Sequence, residues 1–400
     1  MSKMTYFLRE LGMQEIEIGL EEAVHRPLLA KTAFSDGLAT YSAQTAPTCI
    51  DLFAGAGGFS LGAIKAGLNV IGALEINKKA AGTYANNIPK YAGKAVPIIN
   101  ADILPLEPED ALVEWGIKAG ACDIIIGGPP CQGFSSHRIN DQGVGDPRNK
   151  LLARYFDYVK KIRPRVFLVE NVPGLLWPRH ADYLDHFYSM GKNAEYDLFP
   201  PVVLNACDFG VPQNRKRVFI LGIDKRRPFD IMWPPTPTHV SPDTPEHNRE
   251  KRAFWLNAGG AFTKAPIEDP NDIHMNHTDA LIDLFRNTPI NGGSRSESGR
   301  VLKCHQGHTG HKDVYGRINP FKPAPTMTTA CINPSKGRFV HPTENHGITL
   351  RQAARFQTFP DSFVFSGGLM AAGEQIGNAV PVLLGQAVLK LISQALKKAS

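Results

Sequence analysis

The 400-residue sequence has no paired cysteines, no long apolar run and no large excess of either charge. Its six cysteines form no CxxC pair, which in a chain of this length indicates reduced thiols rather than a disulfide framework. No stretch reaches the roughly 18 uncharged apolar residues that a membrane helix needs. Charged residues interrupt the N-terminus at Arg9, Glu10, Glu15 and Glu17, so it does not have the form of a secretory signal. These absences predict a cytoplasmic protein that does not enter a membrane.

The composition is that of an ordinary globular protein, with 42% hydrophobic, 20% charged and 9% aromatic residues, and it excludes disordered, coiled-coil and collagen-like chains. The net charge of +6 is compatible with a polyanionic partner. The basic charge is local. From Arg286 to Arg338, nine Lys and Arg residues stand against Glu297 and Asp313, which leaves a net charge of 9 − 2 = +7.

Short apolar runs alternate with segments of helical length from Cys49 onward. The predicted strands are Cys49–Phe53, Val70–Glu75, Pro97–Asp102, Cys122–Ile126, Val166–Glu170 and Val218–Ile223. The predicted helices between them include Ser60–Ala66, Lys78–Asn87 and Leu151–Arg163. This alternation predicts an α/β fold with a parallel sheet, helices on both of its faces and a ligand at the carboxyl ends of the strands.

The strand–helix rhythm stops after Ile223, and residues 226–325 are rich in Pro, Gly, His, Asn and Thr. We therefore predict four parts: an N-terminal arm at 1–47, a main domain at 48–225, a smaller irregular domain at 226–345 and a return to the main domain at 346–400. The irregular domain ends between residues 325 and 345, and the last part closes with an apolar helix at Val380–Lys397.

The segment DLFAGAGGFSLG, residues 51–62, places a glycine-rich turn between a strand and a helix, where backbone N–H groups can approach a ligand closely. Glu75, at the end of the next strand, can accept hydrogen bonds from two ribose hydroxyls, and Asp102 can accept one from an adenine amino group. Ser60 stands where the GxGxxG pattern has its third glycine, which favours a nucleoside without a pyrophosphate. The alternative is a turn that serves only strand–helix packing.

Three further motifs carry reactive or charged groups. Cys131 follows two prolines in GGPPCQGFS, residues 127–135, a stiff loop that suits a thiolate nucleophile; the alternative is a buried structural cysteine. Glu170 finishes an apolar strand in ENV, so burial would raise its pKa and make it a proton donor; the alternative is a solvated carboxylate. Arg215 and Arg217, in QNRKRVFILG, share one strand face and can clamp a carbonyl oxygen or a phosphate, or lie on the surface.

These motifs, with RQAARFQTFP at 351–360 and GNAVP at 377–381, resemble in their order the DNA (cytosine-5) methyltransferases of bacterial restriction–modification systems. The resemblance covers roughly residues 48–223 and 326–395. It implies the Rossmann-like, doubly wound sheet of S-adenosylmethionine-dependent methyltransferases. It also implies that 48–225 is the catalytic and cofactor-binding domain and 226–345 a target-recognition domain, which contains most of the local basic charge.

The resemblance further implies a role for each matching residue. Cys131 would add to carbon 6 of a flipped cytosine, Glu170 would protonate the ring at nitrogen 3, and Arg217 with Arg215 would hold the base. The residues implied for binding S-adenosyl-L-methionine are Phe53, Gly55, Gly57, Phe59, Glu75, Ile76, Asp102, Ile103, Pro130, Leu151, Asn378 and Val380. The family needs no metal.

The implied partner is double-stranded DNA, with a cognate restriction endonuclease encoded nearby, and the enzyme would act as a monomer at the nucleoid. The residues implied for DNA binding are Gln132, Ser135 and Ser136 on the loop after Cys131, and Arg295, Arg300 and Arg317 in the target-recognition domain. Cys304, His308 and His311 have a tolerable spacing for zinc but lack a second ligand pair, so DNA-contacting or capping histidines are the favoured interpretation.

Two other functions stay open at the level of sequence. A tRNA-methylating member of the same family would carry a Cys-Phe-Thr tripeptide in its recognition region, and none occurs here. A catalytically silent DNA-binding relative would have lost the Pro-Cys or ENV motif, and both motifs are intact. We therefore expect an active DNA methyltransferase.

Overall fold

The computed structural model describes residues 46–129, 147–299 and 313–399, with the side chains of 147–149 excepted. Almost all of the predicted N-terminal arm lies outside these ranges. Also outside them are Pro130, Cys131, Gln132, Ser135, Ser136, Arg300 and the three zinc candidates, Cys304, His308 and His311.

A central sheet of eight strands organises the first half of the described chain, in the order β3-β2-β1-β4-β5-β8-β6 with β7 also paired to β8. Its strands are β1 Thr48–Leu52, β2 Asn69–Leu74, β3 Ile98–Ile99, β4 Ile124–Gly127, β5 Val166–Asn171, β6 Tyr196–Leu198, β7 Val202–Asn205 and β8 Lys216–Asp224. Its helices are α1 Gly58–Lys65, α2 Lys78–Ala92, α3 Pro108–Glu114, α4 Pro147–Ile162 and α5 Ala181–Asn193. All six predicted strands and all three predicted helices are confirmed.

Alternate residues of each strand enter two separate hydrophobic cores, one on each face of the sheet. In β4, Ile124 and Ile126 pack into the core that contains α1 and α2, whereas Ile125 packs into the core that contains α4. Near-continuous apolar strands are the sequence signature of a sheet that is buried on both faces. The doubly wound architecture predicted from the sequence is therefore confirmed.

The prediction of a parallel sheet holds for only five of the eight strands. Strands β1 to β5 pair in parallel, but β8 runs antiparallel to β5, β6 and β7. The expectation rested on strand–helix alternation, but the short strands β6 and β7 have no clear apolar run in the sequence. The chain then passes from β7 to β8 without a crossover helix. As a result β8 begins, rather than ends, at the edge where β5 ends.

The remainder of the described chain has little regular structure before it returns to the sheet. Its elements are β9 His239–Val240, β10 Ala253–Phe254, α6 Asp279–Asn287, α7 Leu350–Phe356, α8 Leu369–Asn378 and α9 Val382–Lys398. Residues of this region, such as Ala258, Ile318 and Met327, are fully buried in the same core as α1 and α2. The irregular region thus packs directly on the sheet, and the domain boundaries stay a prediction.

The C-terminal helices are apolar, and Leu369–Lys398 is long and apolar enough to be considered as a membrane span. In the structure 67% of its most apolar window is buried. The helix α9 packs closely on α1, where a Cβ atom added at Gly62 would lie 2.9 Å from the backbone nitrogen of Gln386. Such burial is what the core helix of a globular domain shows.

Candidate active site

A strained glycine turn connects β1 to α1 at the carboxyl edge of the sheet. Phe53 has a φ of +64°, Gly55 of +55° and Gly57 of +99°. A Cβ atom at Gly57 would lie 2.7 Å from Ile88, whereas one at Gly55 would meet no atom within 4 Å. The two glycines therefore differ in role, because Gly57 allows close packing on α2 and Gly55 faces open space that a ligand can occupy.

Glu75 lies beside this open space and is held rigidly. Its carboxylate accepts hydrogen bonds from the backbone N–H of Gly55 at 2.7 Å and of Asn77 at 2.7 Å. Burial raises the pKa of Glu75, against the lowering effect of these hydrogen bonds. A carboxylate has about four lone-pair sites, so Glu75 can accept a further hydrogen bond from a ribose hydroxyl.

Apolar side chains surround the turn. Phe53, Ile103 and Leu151 belong to the core on the α4 side of the sheet or pack against it. Arg154, one turn after Leu151, donates to the carbonyl oxygen of Ile103 at 3.0 Å and so ties α4 to the segment after β3. Ile76 is 63% exposed next to Glu75. Apolar faces and a buried carboxylate around open space are what a nucleoside requires.

Three other predicted cofactor residues lie in differing settings. Asp102 is half-buried and accepts the backbone N–H of Leu104 at 3.0 Å. Asn378 is exposed at the end of α8. The carbonyl oxygen of Val380 lies 2.6 Å from the position that a Cβ atom at Gly58 would take, so the C-terminal segment closes on the glycine turn.

Phe59, which the resemblance implies at the cofactor, lies on the opposite face of the sheet from Phe53, and its role stays a prediction. Phe59 is buried in the sheet's other core, on the α1 side, where its ring meets that of Phe219 edge-to-face at 6.4 Å. The sequence placed Phe59 in the same motif as Phe53, but a residue in the first turn of α1 points back onto the sheet.

A carboxylate–guanidinium pair occupies the carboxyl end of β5. The Nε atom of Arg217 lies 2.9 Å from Oε1 of Glu170, and 12% of each side chain is exposed. Glu170 and Arg217 are brought together because antiparallel β8 begins where β5 ends, with Asn171 opposite Val218. Glu170 also borders the exit of β4, since a Cβ atom at Gly128 would lie 3.2 Å from its Oε2.

Glu170 is poised to exchange a proton. Burial raises its pKa, and this effect exceeds the lowering by Arg217 and Arg215. A raised pKa favours the protonated carboxyl, which is the form that can donate a proton to a bound ring nitrogen. The sequence-based expectation of a desolvated strand-end glutamate is therefore confirmed, and the solvated alternative is excluded.

Arg215 does not occupy the position predicted for it. Its guanidinium is buried and donates to the carbonyl oxygens of Met327 at 2.7 Å, Gly377 at 2.9 Å and Ala379 at 3.1 Å. Arg215 thus fastens the C-terminal segment to the start of β8, and the prediction that it holds the base is corrected to a positioning role. Sequence spacing could not show this, because its partners lie more than 100 positions away.

Two candidates for reading DNA bases lie within the described residues. The prediction that Arg317 reads DNA bases is wrong, because its side chain is buried and its donors are used inside the protein. They bind the carbonyl oxygens of Phe285, Thr288, His341 and Glu344 and the amide oxygen of Asn345. Arg295 is partly exposed in a short 3₁₀ turn, and its role stays a prediction.

Two structural features of the site escaped the sequence-based predictions. Asn171 donates to the carbonyl oxygen of Pro129 at 3.4 Å and so ties the end of β5 to the exit of β4. Beneath the glycine turn, the hydroxyl of Ser60 contacts Asp51 at 2.7 Å and Tyr84 at 2.9 Å, and burial raises the pKa of Asp51 to about 7. Ser60, the departure from GxGxxG, was the one signal that could have indicated this network.

The thiols and the possible metal ligands complete the description of the site. Cys49, Cys122, Cys207 and Cys331 are buried free thiols, in agreement with the reduced thiols that the sequence predicts. Within the described ranges, no group of three or more His, Cys, Asp or Glu residues is arranged to hold a metal.

Comparisons with known proteins agree with this geometry. The sequence profile described as C-5 cytosine-specific DNA methylase matches residues 47–394. The chain is 34% identical over 380 residues to the Type II methyltransferase M.DdeI of Desulfomicrobium norvegicum, covering 86% of this chain and 88% of that protein. It is 33% identical over 356 residues to the Type II methyltransferase M1.HphI of Haemophilus parahaemolyticus, covering 86% of each. Among solved structures, one described as a DNA modification methyltransferase encoded within an E. coli prophage has a TM-score of 0.61 and 27% identity, covering 88% of this chain and 99% of that one.

Proposed function

The chain belongs to the C-5 cytosine-specific DNA methylase family, and we propose that Cys131, Glu170 and Arg217 carry out its reaction on a cytosine flipped out of duplex DNA. The enzyme is a DNA (cytosine-5) methyltransferase that uses S-adenosyl-L-methionine. Flipping the base costs a few kcal/mol of unstacking and gives the site access to the ring edge.

The contact between Glu170 and Arg217 is the observation that carries this proposal. Carbon 5 of cytosine is too weak a nucleophile to be methylated unaided. Addition of the Cys131 thiolate at carbon 6 drives the electron pair towards carbon 5, while protonated Glu170 neutralises the charge that would develop at ring nitrogen 3. Arg217 holds Glu170 in place and presents its remaining donors to the base. Loss of the carbon 5 proton after methyl transfer then breaks the bond between sulfur and carbon 6.

The placement of the β4 exit supports Cys131 as the nucleophile. Cys131 itself lies outside the described residues, but it follows Pro129 by two positions in the chain, and the Pro129 carbonyl accepts a hydrogen bond from Asn171 next to Glu170. A two-residue connection spans at most about 7 Å. This connection is short enough for the proposed nucleophile and the proposed acid to act on one flipped ring.

The residues around the glycine turn fit S-adenosyl-L-methionine. The open space at Gly55 and the carboxylate of Glu75 suit its ribose, and Phe53, Ile103 and Leu151 offer apolar faces to its adenine. When bound, this cosubstrate supplies the electrophilic methyl group. The chain's own residues orient it and exclude water from the reacting carbon. Predicted contacts from Gly57, Ile76, Asp102, Pro130, Asn378 and Val380 belong to the same proposal.

We further propose that the enzyme is the modification component of a Type II restriction–modification system. The names of the relatives M.DdeI and M1.HphI support this assignment. Residues 226–345 would then form the target-recognition domain, with Arg295, Arg300 and the loop residues Gln132, Ser135 and Ser136 at the DNA. The enzyme would act as a nucleoid-associated monomer, and its cognate endonuclease would not form a stable complex with it.

The deciding experiment is methylation of unmodified plasmid DNA by the full chain with S-adenosyl-L-methionine, followed by bisulfite sequencing. We expect protected cytosines in one short recurring sequence, which would also reveal the recognition site. The variant Cys131→Ser should bind the cosubstrate normally and protect no cytosine. Normal protection by this variant would refute the mechanism. No protection by the wild type, with DNA binding retained, would favour tRNA methylation or a catalytically silent relative.

A further inference from the structure

The segment that follows β5, a few residues after Glu170 in the chain, presents an exposed arginine stacked on a tryptophan. Two short 3₁₀ turns, Pro173–Leu176 and Pro178–His180, come directly after the Glu170–Asn171–Val172 sequence, and each begins with a proline. Proline fixes its own φ and restricts the residue before it, so this segment is stiff. Its side chains are therefore presented in a defined direction.

Burial alternates along the segment. Leu175 and His180 are buried at 3% and 4% exposure and anchor the segment to the protein. Between and beside these anchors, Trp177 is 38% exposed and Arg179 is also exposed. The two anchors fix the backbone from which Trp177 and Arg179 project into solvent.

Arg179 is held in place by two contacts. Its Cζ atom lies 4.6 Å from the ring centroid of Trp177, and its Nε donates to Nε2 of His180 at 3.0 Å. A guanidinium stacked on an indole in this way loses little further side-chain entropy when it binds a ligand. Its two terminal nitrogens have no hydrogen bond to any residue of the described ranges, so four N–H donors face outward.

The positive charge of Arg179 is not neutralised by the part of the chain that the structure describes. The nearest acidic residue along the chain is Asp182, in the first turn of α5, and it makes no ion pair with Arg179. By contrast, Arg154, Arg163 and Arg217 each lie within ion-pair distance of a carboxylate.

A second exposed cation lies at the same edge of the sheet. Lys216 begins β8, and the register of Asn171 with Val218 brings the start of β8 beside the end of β5. The start of β8, which lies beside the end of β5, therefore carries an exposed positive charge in addition to that of Arg179 in the segment that follows β5.

We propose that the Trp177–Arg179 pair is a binding site for a phosphodiester of the DNA strand that carries the flipped cytosine. This inference rests on the proposed function, because it assumes that Glu170 contacts the flipped cytosine. Outward N–H donors of a preorganised guanidinium match a phosphate bidentately. The contact positions the backbone beside the extruded nucleotide and reads no sequence.

The test compares equilibrium DNA binding by the full-length wild type and by Arg179→Ala over a salt series, on one duplex that contains the recognition site. Removing one phosphate contact should lower the slope of log K against log [salt] by about 0.9. The ratio of the wild-type DNA affinity to the Arg179→Ala affinity should accordingly fall about 3.5-fold between roughly 50 mM and 200 mM salt. The affinity for S-adenosyl-L-methionine should stay unchanged.

Three further variants separate charge, stacking and folding. Arg179→Lys should retain the wild-type salt slope, since it keeps the charge, but should bind more weakly because it loses the planar fork. Trp177→Leu should weaken binding without changing the slope. Lys160→Ala, at an exposed position in the last turn of α4 that leads to the start of β5, at the opposite edge of the sheet from Glu170, should match the wild type in both binding and methylation.

Equal slopes for Arg179→Ala and the wild type would overturn the proposed site, and so would a lowered slope in Lys160→Ala of the same size. Should Arg179→Ala fail to fold, an unchanged affinity in both Arg179→Lys and Trp177→Leu would overturn it. These measurements require binding and not turnover. Failure of the phosphate site is therefore distinguishable from failure of the proposed catalytic mechanism.

Discussion

Burial and a neighbouring guanidinium act in opposite directions on the pKa of Glu170. Burial favours the neutral carboxyl and raises its pKa, while Arg217 favours the carboxylate and lowers it, and burial prevails. An acid that must be protonated to act loses activity as the pH rises through its raised pKa. The alkaline limb of the rate profile should therefore belong to Glu170.

We predict that Glu170→Gln lowers kcat by about 10²- to 10⁴-fold, because an amide can accept from Arg217 but cannot donate an acidic proton. The alkaline loss of activity seen in the wild type should also vanish from the residual activity of the variant. Single-turnover methylation measured across the pH range checks both expectations. An alkaline limb that persists in Glu170→Gln would assign the titration to another group.

In the turn between β1 and α1, two glycines with similar backbone conformations have different surroundings. Gly55 and Gly57 both have positive φ, yet only Gly57 lies against another helix. Alanine at either position is strained by roughly 1 kcal/mol in its backbone. Any further loss of stability or of ligand binding depends on what the added Cβ atom meets at each position.

We predict that Gly57→Ala destabilises the protein, because its Cβ would clash with Ile88, and lowers the melting temperature markedly. Gly55→Ala should melt closer to the wild type but bind S-adenosyl-L-methionine at least about tenfold more weakly, since its Cβ enters the space assigned to the ligand. Thermal unfolding and calorimetric titration distinguish the two variants. Normal cosubstrate binding by Gly55→Ala would contradict the placement of the ligand.

Buried arginines, rather than strand ladders, hold the irregular region to the rest of the molecule. Arg215, Arg317 and Arg351 are among the largest fully buried side chains. Arg215 and Arg317 donate to backbone carbonyl oxygens of segments distant in sequence, and Arg351 pairs with the carboxylate of Asp269. Carbonyl groups in a region with few strands need such donors, because an unpaired buried polar group costs about 1 to 3 kcal/mol. Part of the local basic charge is therefore structural and is not available to DNA.

We predict that Arg317→Ala lowers the free energy of unfolding by about 3 kcal/mol or more, because it leaves several buried acceptors unpaired. The matched control is Arg286→Ala, whose exposed ion pair with Asp283 should contribute at most about 1 kcal/mol. Denaturant unfolding of the two variants checks the difference. A stable Arg317→Ala with altered sequence preference would restore the base-reading role that the structure removes.

The sequence by itself determined the local structure, because local structure follows from short-range patterns. Apolar runs predicted strands whose bounds the structure moves by one or two residues in most cases, and the glycine turn, the reduced thiols and the raised pKa of Glu170 were all predicted. Burial of a strand-end carboxyl depends mainly on its own strand, which explains that success. Cys131 stays a prediction from sequence.

Only the tertiary structure decided which distant groups meet. The antiparallel direction of β8 placed Arg217 on Glu170, and it depends on two short strands without a clear apolar pattern. An arginine's role depends on the acceptor it reaches: Arg217 pairs with Glu170, Arg215 donates to the carbonyl oxygens of the C-terminal segment, and Arg179 stacks on Trp177 at the surface. Guanidinium partners lie far apart in sequence, and no periodicity encodes such long-range pairing.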